Sequence, residues 1–225
     1  MSCSNEITVG ARSSRLSQAQ VQEVLLELRQ FHPDIEFIPL FALTTGDKNK
    51  QICLTLMDKT DFFTKEIDLM VLHHECRVGI HSAKDLPETL ADGLEIFAIT
   101  RGVDSGDALV LREGDSLETL RENSVIGTSS IRRELEIRKL RHDLKAASIR
   151  GTIDERLVLL QENQVDGLVM AEAAIIRLQL THLNRIRLQG ETAPLQGKLA
   201  IVGRKDDHEM KELFACLDYS NQLCT

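Results

Sequence analysis

Apolar residues recur along this chain with two alternating spacings. Short runs such as Ile7–Ala11 and Glu36–Leu43 are typical of strands buried in a sheet. Between them, Leu16–Gln30 carries apolar residues three and four positions apart, which predicts a helix with one buried face. His32-Pro33 ends this helix, because proline cannot continue it. The alternation therefore favours an α/β fold.

The same pattern extends to the end of the chain. Further strands are expected at Val78–His81, Leu94–Thr100, Asp107–Leu111, Val125–Gly127, Ala146–Ile149, Asp166–Ala171 and Leu199–Gly203. Further helices are expected at Thr64–His74, Ser116–Arg121, Ile131–Arg141, Ile153–Glu162 and Asp207–Leu217, with a turn at Thr45-Gly46-Asp47. Strands that alternate with helices predict mixed, largely parallel sheets, whose ligands bind at the carboxyl ends of the strands.

The chain has 225 residues, which is enough for two lobes of about 100 residues each. Crossings between the lobes are expected near Arg101–Ser105 and near Thr192–Gly197. We therefore assign residues 1–100 together with 196–225 to a first domain, and residues 101–195 to a second. The last strand and helix are expected to return to the first domain.

Composition excludes several classes of protein. The longest apolar run, around Leu168–Ala171, is too short to cross a bilayer, and Met1–Glu6 lacks the pattern of a signal peptide. These features favour a cytoplasmic protein. The formal net charge of −8 disfavours nucleic acid as a partner. The sequence has neither a G-x-G-x-x-G motif nor a P-loop, so neither nucleotide-binding motif is supported.

Metal and disulfide sites are also disfavoured. The five cysteines are scattered without a C-x-x-C pair, which argues against a disulfide framework and a thiolate zinc site. His73 and His74 are adjacent, so their directions on a helix differ by about 100°. No metal site is therefore expected.

The arginines are unevenly distributed. Residues 101–193 hold 12 of the 17 arginines but only two of the ten lysines. Arginine grips planar anions such as carboxylates through two parallel hydrogen bonds. The concentration of arginine in one half suggests an internal anion site, and the alternative is a helical half with solvated arginines.

Cations and hydroxyls fall where predicted strands give way to helices. The cations are Arg12, Lys84, Arg132, Arg133, Arg150, Arg156 and Arg177, and the hydroxyls are Ser13, Ser14, Ser82, Thr128, Ser129 and Ser130. The helix dipole disfavours arginine at a helix N-terminus unless an anion binds there. The pattern predicts a cleft for a ligand with several carboxylates or phosphates.

Some of these residues have a structural alternative. Ser130 and Thr152 are plausible N-caps, Thr152 with Glu155 forms a capping-box pattern, and Ser82 with Asp85 resembles one. Asp85 is also the candidate acid, because a carboxylate beside Lys84 in a cleft can protonate a leaving amine or stabilise a cation. Spacing alone leaves capping and catalysis both open for Asp85.

Several stretches, taken together, resemble porphobilinogen deaminase over nearly the whole chain. They are Ala11-Arg12-Ser13-Ser14, Thr45-Gly46-Asp47, Phe63-Thr64-Lys65-Glu66, His81-Ser82-Ala83-Lys84-Asp85-Leu86-Pro87, Gly127-Thr128-Ser129-Ser130-Ile131-Arg132-Arg133, and Arg150-Gly151-Thr152 with Arg156-Leu157. The resemblance implies two lobes similar to type II periplasmic binding proteins. It also implies stepwise condensation of four porphobilinogen molecules into hydroxymethylbilane, with release of ammonia each time, in haem biosynthesis.

The resemblance implies a role for each matching residue. Asp85 would be the catalytic acid that helps expel ammonia, holds the azafulvenium cation and assists loss of the pyrrole proton. The residues that would bind acetate and propionate side chains are Arg12, Ser14, Gln20, Ser82, Lys84, Thr128, Ser129, Ser130, Arg132, Arg133, Arg150, Gly151, Arg156 and Arg177. The implied cofactor is dipyrromethane, held by a cysteine of a third domain. Small molecules, porphobilinogen and the growing polypyrrole, would be the partners of a monomer.

This sequence departs from the family pattern in two places. The chain stops at Thr225, where a third domain normally follows, and no residue matches the anchor cysteine. Cys224 is the candidate anchor, with an incidental thiol as the alternative. The loop before Phe63 lacks the usual glycines, and Lys59 is the residue that would bind substrate there. Besides a minimal deaminase, a catalytically degenerate anion- or pyrrole-binding protein and an unrelated solute-binding or effector domain stay open.

Overall fold

The computed structural model describes residues 6–48 and 61–220, which form two compact α/β units. Unit 1 contains residues 6–48, 61–103 and 197–220, and unit 2 contains residues 104–196. The chain passes from one unit to the other after Val103 and again after Gln196. Each unit has its own five-stranded sheet and its own apolar core.

The sheet of unit 1 combines the two strand directions. Its strands are β1 (Glu6–Arg12), β2 (Glu36–Ala42), β3 (Val78–Ser82), β4 (Leu94–Ile99) and β10 (Leu199–Arg204). They lie in the order β2-β1-β3-β10-β4. β1 pairs in parallel with β2 and β3, whereas β10 pairs antiparallel with β3 and β4. Four strands therefore share one direction, and β10 opposes them.

Helices cover this sheet with apolar faces. They are α1 (Arg15–Leu28), α2 (Thr45–Lys48), α3 (Lys65–Leu72) and α7 (His208–Phe214). Helix α1 begins where the Ser14 hydroxyl accepts a hydrogen bond from the Ser17 amide at 3.2 Å. Its buried residues Val21, Val24 and Leu28 recur at helical spacing and pack into the core of unit 1. Short 3₁₀ turns are formed by Asp61–Phe63, Ala83–Asp85 and Ala215–Leu217.

The sheet of unit 2 repeats the arrangement. Its strands are β5 (Asp107–Leu111), β6 (Val125–Gly127), β7 (Lys145–Ala147), β8 (Gly167–Ala171) and β9 (Arg185–Arg187). They lie in the order β7-β6-β8-β5-β9. β6 pairs in parallel with β7 and β8, and β5 pairs antiparallel with β8 and β9. Again four strands share one direction, and the fourth strand in the order opposes them.

Both faces of this second sheet are buried. Its helices are α4 (Ile131–Leu140), α5 (Ile153–Gln161) and α6 (Glu172–Arg177). Ala108 and Val110 of β5 belong to one apolar cluster, whereas Leu109 and Leu111 belong to another. Successive side chains of a strand point to opposite faces, so the uninterrupted apolar run of β5 serves two cores.

The predicted α/β class with mixed, largely parallel sheets is confirmed, since four of five strands in each sheet run the same way. The expected helix at Ser116–Arg121 is wrong, because Ser116 and Thr119 bond to each other in a turn. The turn expected at Thr45-Gly46-Asp47 forms the short helix α2. Strand β9 was not predicted, since three residues with two arginines carry no apolar pattern.

A buried carboxylate holds the returning end of the chain in unit 1. Asp207 accepts hydrogen bonds from Arg77 Nε and Nη2 at 2.8 and 2.7 Å and from Arg204 Nη2 at 3.1 Å. It also caps α7 through the Met210 amide at 3.3 Å. The hydrogen bond from Arg77 lowers the pKa of Asp207, although burial opposes the shift. Asp207 thus joins β3, β10 and α7.

We expect Asp207→Ala to lower the free energy of unfolding by about 3 kcal/mol, because it leaves two guanidinium groups without their shared carboxylate. Since the folded-state pKa is depressed, the stabilisation is present at neutral pH and is lost as pH falls below about 4. Urea unfolding followed by circular dichroism measures both effects. Glu209→Ala is the matched control, because Glu209 binds the same Arg77 but is exposed, and it should change stability by less than about 0.5 kcal/mol. Equal losses in the two variants would contradict this account.

Candidate active site

The residues predicted to form the site fall on both units. Those on unit 1 are Arg12, Ser14, Gln20, Ser82, Lys84 and Asp85. Those on unit 2 are Thr128, Ser129, Ser130, Arg132, Arg133, Arg150, Gly151, Arg156 and Arg177. Lys59 and Cys224 lie outside the described residues.

Asp85 and Lys84 lie at the carboxyl end of β3, in the 3₁₀ turn Ala83–Asp85. Ala83 and Leu86 are buried on either side of them, and the Ala83 amide donates to the Lys198 carbonyl at 3.0 Å. Both Lys84 and Asp85 are half-buried. The turn is therefore anchored by the buried side chains of Ala83 and Leu86, while the side chains of Lys84 and Asp85 are partly exposed to solvent.

Ser82 is held from a neighbouring helix. The buried Gln20 of α1 donates from Nε2 to the Ser82 hydroxyl oxygen at 2.8 Å. The Ser82 side chain makes no capping hydrogen bond to the turn that follows it. The capping alternative for Ser82 is therefore wrong, because Gln20 occupies its oxygen instead.

A buried pair behind this turn was missed by the sequence analysis. His81 Nε2 lies 3.3 Å from Asp68 Oδ1, and both side chains are at most 5% exposed. His81 directly precedes Ser82 on β3, and Asp68 lies on α3. Asp68 resembles an ordinary helix-surface residue in sequence, so only packing reveals the pair.

Arg12 is the last residue of β1 and is already bound to a carboxylate. Its Nη2 lies 2.5 Å from Asp47 Oδ1, and its guanidinium carbon lies 4.6 Å from the centre of the Phe63 ring. Burial alone would raise the pKa of Asp47, but hydrogen bonds from Arg12 and Thr44 and the charge of Arg12 lower it. Arg12 is thus oriented on one side by an acid and on its face by an aromatic ring.

Arg132 and Arg133 lie in the first turn of α4 and share the buried carboxylate of Asp107. Arg132 Nη2 donates to Asp107 Oδ2 at 2.6 Å, and Arg133 donates to Oδ1 from Nη2 at 2.7 Å and from Nε at 3.1 Å. Burial alone would raise the pKa of Asp107, but the charges of Arg133 and Arg132 and their hydrogen bonds lower it. In the sequence, Asp107 is recognisable only as the start of a predicted strand.

The hydroxyl residues before α4 stabilise the loop that carries these arginines. Thr128 is buried, and its oxygen accepts a hydrogen bond from the Ser130 amide at 3.2 Å. The Ser129 hydroxyl donates to the Ile149 carbonyl. Ser130 occupies the N-cap position without a side-chain bond to the helix, so the expected capping by Ser130 is wrong.

Arg150, Gly151 and Arg156 surround the start of α5. Thr152 and Glu155 form the predicted capping box, with bonds of 3.3 and 2.8 Å. Gly151 has φ +104°, which a side chain would strain, and a Cβ there would meet Glu155 Oε2 at 2.5 Å. The Gly151 carbonyl accepts from Arg156 Nε at 3.1 Å. The absence of a side chain at Gly151 therefore leaves space for the Glu155 carboxylate, while its carbonyl binds Arg156.

Arg156 is influenced by two other guanidinium groups. Burial, followed by repulsion from Arg133 and Arg150, lowers the pKa of Arg156 to about 10. Like charges that are gathered and partly removed from water favour the binding of an anion. Arg177 differs from them, because it lies in the last turn of α6, where the helix dipole favours a cation.

No group of three or more potential metal ligands occurs within residues 6–48 and 61–220. Over the same residues, no helix is long and apolar enough to span a bilayer. The candidate residues of the two units carry carboxylates, guanidinium groups, one lysine and hydroxyls.

Comparison with known proteins decides the family. A family model described as porphobilinogen deaminase, dipyromethane cofactor binding domain, matches residues 7–212. The chain belongs to the porphobilinogen deaminase family. The matched residues include β1, the turn with Asp85, and the arginines of α4 and α5.

Individual relatives in the porphobilinogen deaminase family are longer than this chain. Porphobilinogen deaminase from Desulforudis audaxviator is 38% identical over 218 residues, which cover 96% of this chain and 71% of the relative. Probable porphobilinogen deaminase from Chlamydia pneumoniae is 38% identical over 208 residues, which cover 92% of this chain and 88% of the relative. The similarity therefore extends through both units.

Solved structures with little sequence similarity share the fold. The periplasmic VFT2 domain of Bordetella pertussis BvgS has a TM-score of 0.54 at 13% identity, covering 96% of this chain and 88% of that one. A regulatory domain of OxyR2 from Vibrio vulnificus has a TM-score of 0.53 at 12% identity, and the match covers 96% of this chain and 99% of that one. These likenesses support the two-lobed α/β fold and carry no information on ligands.

The residues present fit the cofactor named in the family description. Dipyrromethane carries acetate and propionate groups, and positive charge is supplied by Arg133 in the first turn of α4 and by Arg150 and Arg156 at the start of α5. Arginine binds such carboxylates through paired N–H donors. This donor set matches a polycarboxylate in charge and in the type of donor.

We expect Arg156→Met to raise the melting temperature of the ligand-free protein by roughly 2–4 °C, or about 1 kcal/mol, because it removes a partly buried charge repelled by two others. The folded-state pKa lies below the ordinary value of arginine. The charge therefore destabilises the fold fully below pH 10, and the effect fades as pH rises from about 10 to 12.5. Differential scanning calorimetry at pH 7.5 in a buffer without polyvalent anions measures the change.

Arg138→Met is the control for this prediction. Arg138 is exposed and pairs with Glu134 one helical turn away, so its loss should shift the melting temperature by less than about 1 °C. A lower melting temperature for Arg156→Met would show that Arg156 stabilises the empty site and would refute the charge argument.

Proposed function

We propose that this chain condenses porphobilinogen molecules head to tail into hydroxymethylbilane, with release of ammonia at each condensation, in tetrapyrrole biosynthesis. The observation that carries the proposal is the placement of Arg132, Arg133 and Arg156 near the N-terminal ends of α4 and α5, which suits a ligand with several carboxylates. Membership of the porphobilinogen deaminase family supports the reaction.

Asp85 is the acid of the proposed mechanism. During each condensation the C–N bond of the substrate's protonated aminomethyl group breaks, and the nitrogen leaves as neutral ammonia with the electron pair of that bond. A carboxylate oxygen of Asp85 stabilises the cation that remains. After the new C–C bond forms, the same oxygen accepts the proton lost from the pyrrole carbon. The half-buried position of Asp85 at the end of β3 suits both steps.

The cations bind and orient the carboxylates of the substrate. Lys84 lies beside Asp85 on unit 1, while Arg132, Arg133 and Arg156 act on unit 2. Dipyrromethane, when bound, supplies the pyrrole carbon to which the first substrate is added. Arg156 retains its charge at physiological pH, since its lowered pKa stays near 10.

The working form of the protein is part of the same proposal. Porphobilinogen and the growing polypyrrole are its proposed partners. Nucleic acid is not proposed as a partner, because a net charge of −8 repels its phosphates. We propose that the protein is a cytoplasmic monomer. Size-exclusion chromatography tests this oligomeric state.

We expect Asp85→Asn to reduce product formation at least 100-fold, because the amide neither stabilises a cation by charge nor accepts a proton. Incubation with porphobilinogen, followed by absorbance of the oxidised uroporphyrin, measures the rate. Asp92→Asn is the control: Asp92 is an exposed carboxylate in a nearby loop, paired only loosely with Lys205 at 3.4 Å, and its loss should leave the rate unchanged. Wild-type rates for Asp85→Asn would refute the mechanism, and binding without turnover by the wild-type protein would favour the degenerate pyrrole-binding alternative.

Covalent attachment of the cofactor is proposed at Cys224. Two other cysteines are poor anchors, because burial raises the pKa of Cys76 to about 11 and also raises that of Cys216. We expect the intact mass of the purified protein to exceed the sequence mass by one dipyrromethane, and Cys224→Ser to abolish the increment. Cys216→Ser serves as the control and should keep it. An increment that survives Cys224→Ser would reject this anchor.

A further inference from the structure

Asp107 and Gln196 lie at the two places where the chain enters and leaves unit 2. Asp107 begins β5, three residues after the first crossing, and Gln196 is the last residue before the second. Both are buried. Gln196 Nε2 donates to the carbonyls of Ser105 at 2.7 Å and Gly106 at 3.1 Å, and lies 3.0 Å from Asp107 Oδ1.

The two oxygens of Asp107 have separate tasks. Oδ2 binds Arg132, whereas Oδ1 binds Arg133 and Gln196. Gln196 Oε1 in turn accepts from Arg133 Nη2 at 3.4 Å. The carboxylate therefore cannot rotate without breaking contacts at both oxygens, and each arginine is bound to a different edge of it.

This arrangement leaves donors for a second carboxylate. A guanidinium group has five N–H donors. Arg132 uses one on Asp107 and one on the Glu191 carbonyl. Arg133 uses two on Asp107, one on the Val169 carbonyl and one on Gln196, so each arginine keeps at least one donor. The Arg133 side chain is 12% exposed and that of Arg132 is 28% exposed, whereas Asp107 is 2% exposed. The acid lies inside, and the arginines lie between it and the surface.

We propose that Asp107 and Gln196 are positioning residues that fix Arg132 and Arg133 as one carboxylate-binding pair. The inference rests on the proposed function, since it assigns these residues a task in binding the carboxylates of the substrate. Asp107 cancels one of two positive charges and so allows the two guanidinium groups to lie together. Gln196 holds the Asp107 carboxylate in the orientation that directs the guanidinium groups of both arginines toward the substrate.

Positioning and simple charge attraction predict opposite results for Asp107→Asn. The substitution makes the site more positive by one unit, so charge attraction alone would strengthen the binding of an anionic substrate. If Asp107 positions the arginines, binding and catalysis weaken despite the added positive charge. We expect kcat/KM for porphobilinogen to fall at least 10-fold in Asp107→Asn. An unchanged or higher kcat/KM would overturn the proposal.

A second measurement does not depend on turnover. Citrate, a small tricarboxylate, is titrated into the cofactor-loaded protein at low ionic strength while the melting temperature is followed. We expect the apparent citrate dissociation constant to rise at least fivefold in Asp107→Asn, and an equal or lower constant would overturn the proposal. A wild-type protein that fails to convert porphobilinogen would refute the proposed function, while the citrate titration would still decide the role of Asp107.

Matched variants separate positioning from a general structural effect. Asp143→Asn makes the same change of charge in another carboxylate–guanidinium pair of unit 2, with Arg141 at 2.6 Å, and should leave kcat/KM and the citrate constant unchanged. Adding Asp107→Asn to the double variant Arg132→Lys, Arg133→Lys should cause no further loss of kcat/KM, because Asp107 acts through these arginines. An additional loss as large as that in the wild-type background would overturn the proposal.

Gln196→Met covers the case in which Asp107→Asn fails to fold. It keeps the volume and net charge of the site but removes the bonds that hold Asp107. We expect kcat/KM to fall three- to tenfold and the citrate constant to rise. Wild-type values for both in a folded Gln196→Met protein would overturn the role of Gln196.

Discussion

Burial of positive charge is the constraint on which the rest of this structure depends. Guanidinium groups at the ends of strands lose hydration as the core forms around them, and each needs a negative partner or a ligand. The protein supplies internal carboxylates for some of them: Asp47 binds Arg12, and Asp107 binds Arg132 and Arg133. Around Arg156, repulsion from Arg133 and Arg150 outweighs the attraction of Glu155, so positive charge is only partly compensated there.

The repeated sheet pattern explains where these groups lie. In each unit, four strands run in one direction and one opposes them, and the opposing strand lies next to a crossing of the chain. β5 and β10 are these strands, and both are buried along their apolar positions. Asp107 is the first residue of β5, and Gln196 is held beside it by hydrogen bonds to Ser105, Gly106 and Asp107. The separate Arg77–Asp207 network fixes the returning segment of unit 1 without contributing to the site.

Much of the fold follows from local pattern. Helix α1 matches its prediction because Ser14 caps it and its apolar residues recur at helical spacing, and α5 matches because Thr152 and Glu155 form a capping box. Local pattern gave wrong or missing predictions where side-chain bonds or a neighbouring strand determined the backbone conformation. Ser116–Arg121 has polar residues that bond to each other in a turn, and β9 is a strand only because β5 offers it an edge. Ser82 looked like a cap, but Gln20, 62 residues away in sequence, occupies its oxygen.

The sequence by itself determined the α/β class, the strand-to-helix positions of the cations, and the family, because these depend on residue type, spacing and motif. Only the tertiary structure decided which charges meet. Asp107 is an ordinary first residue of a strand in sequence, Gln196 lies 89 residues from it, and Asp68 resembles a surface residue of a helix. Their partners are distant along the chain, and electrostatic interactions depend on distance in space and on burial, which spacing in sequence does not encode.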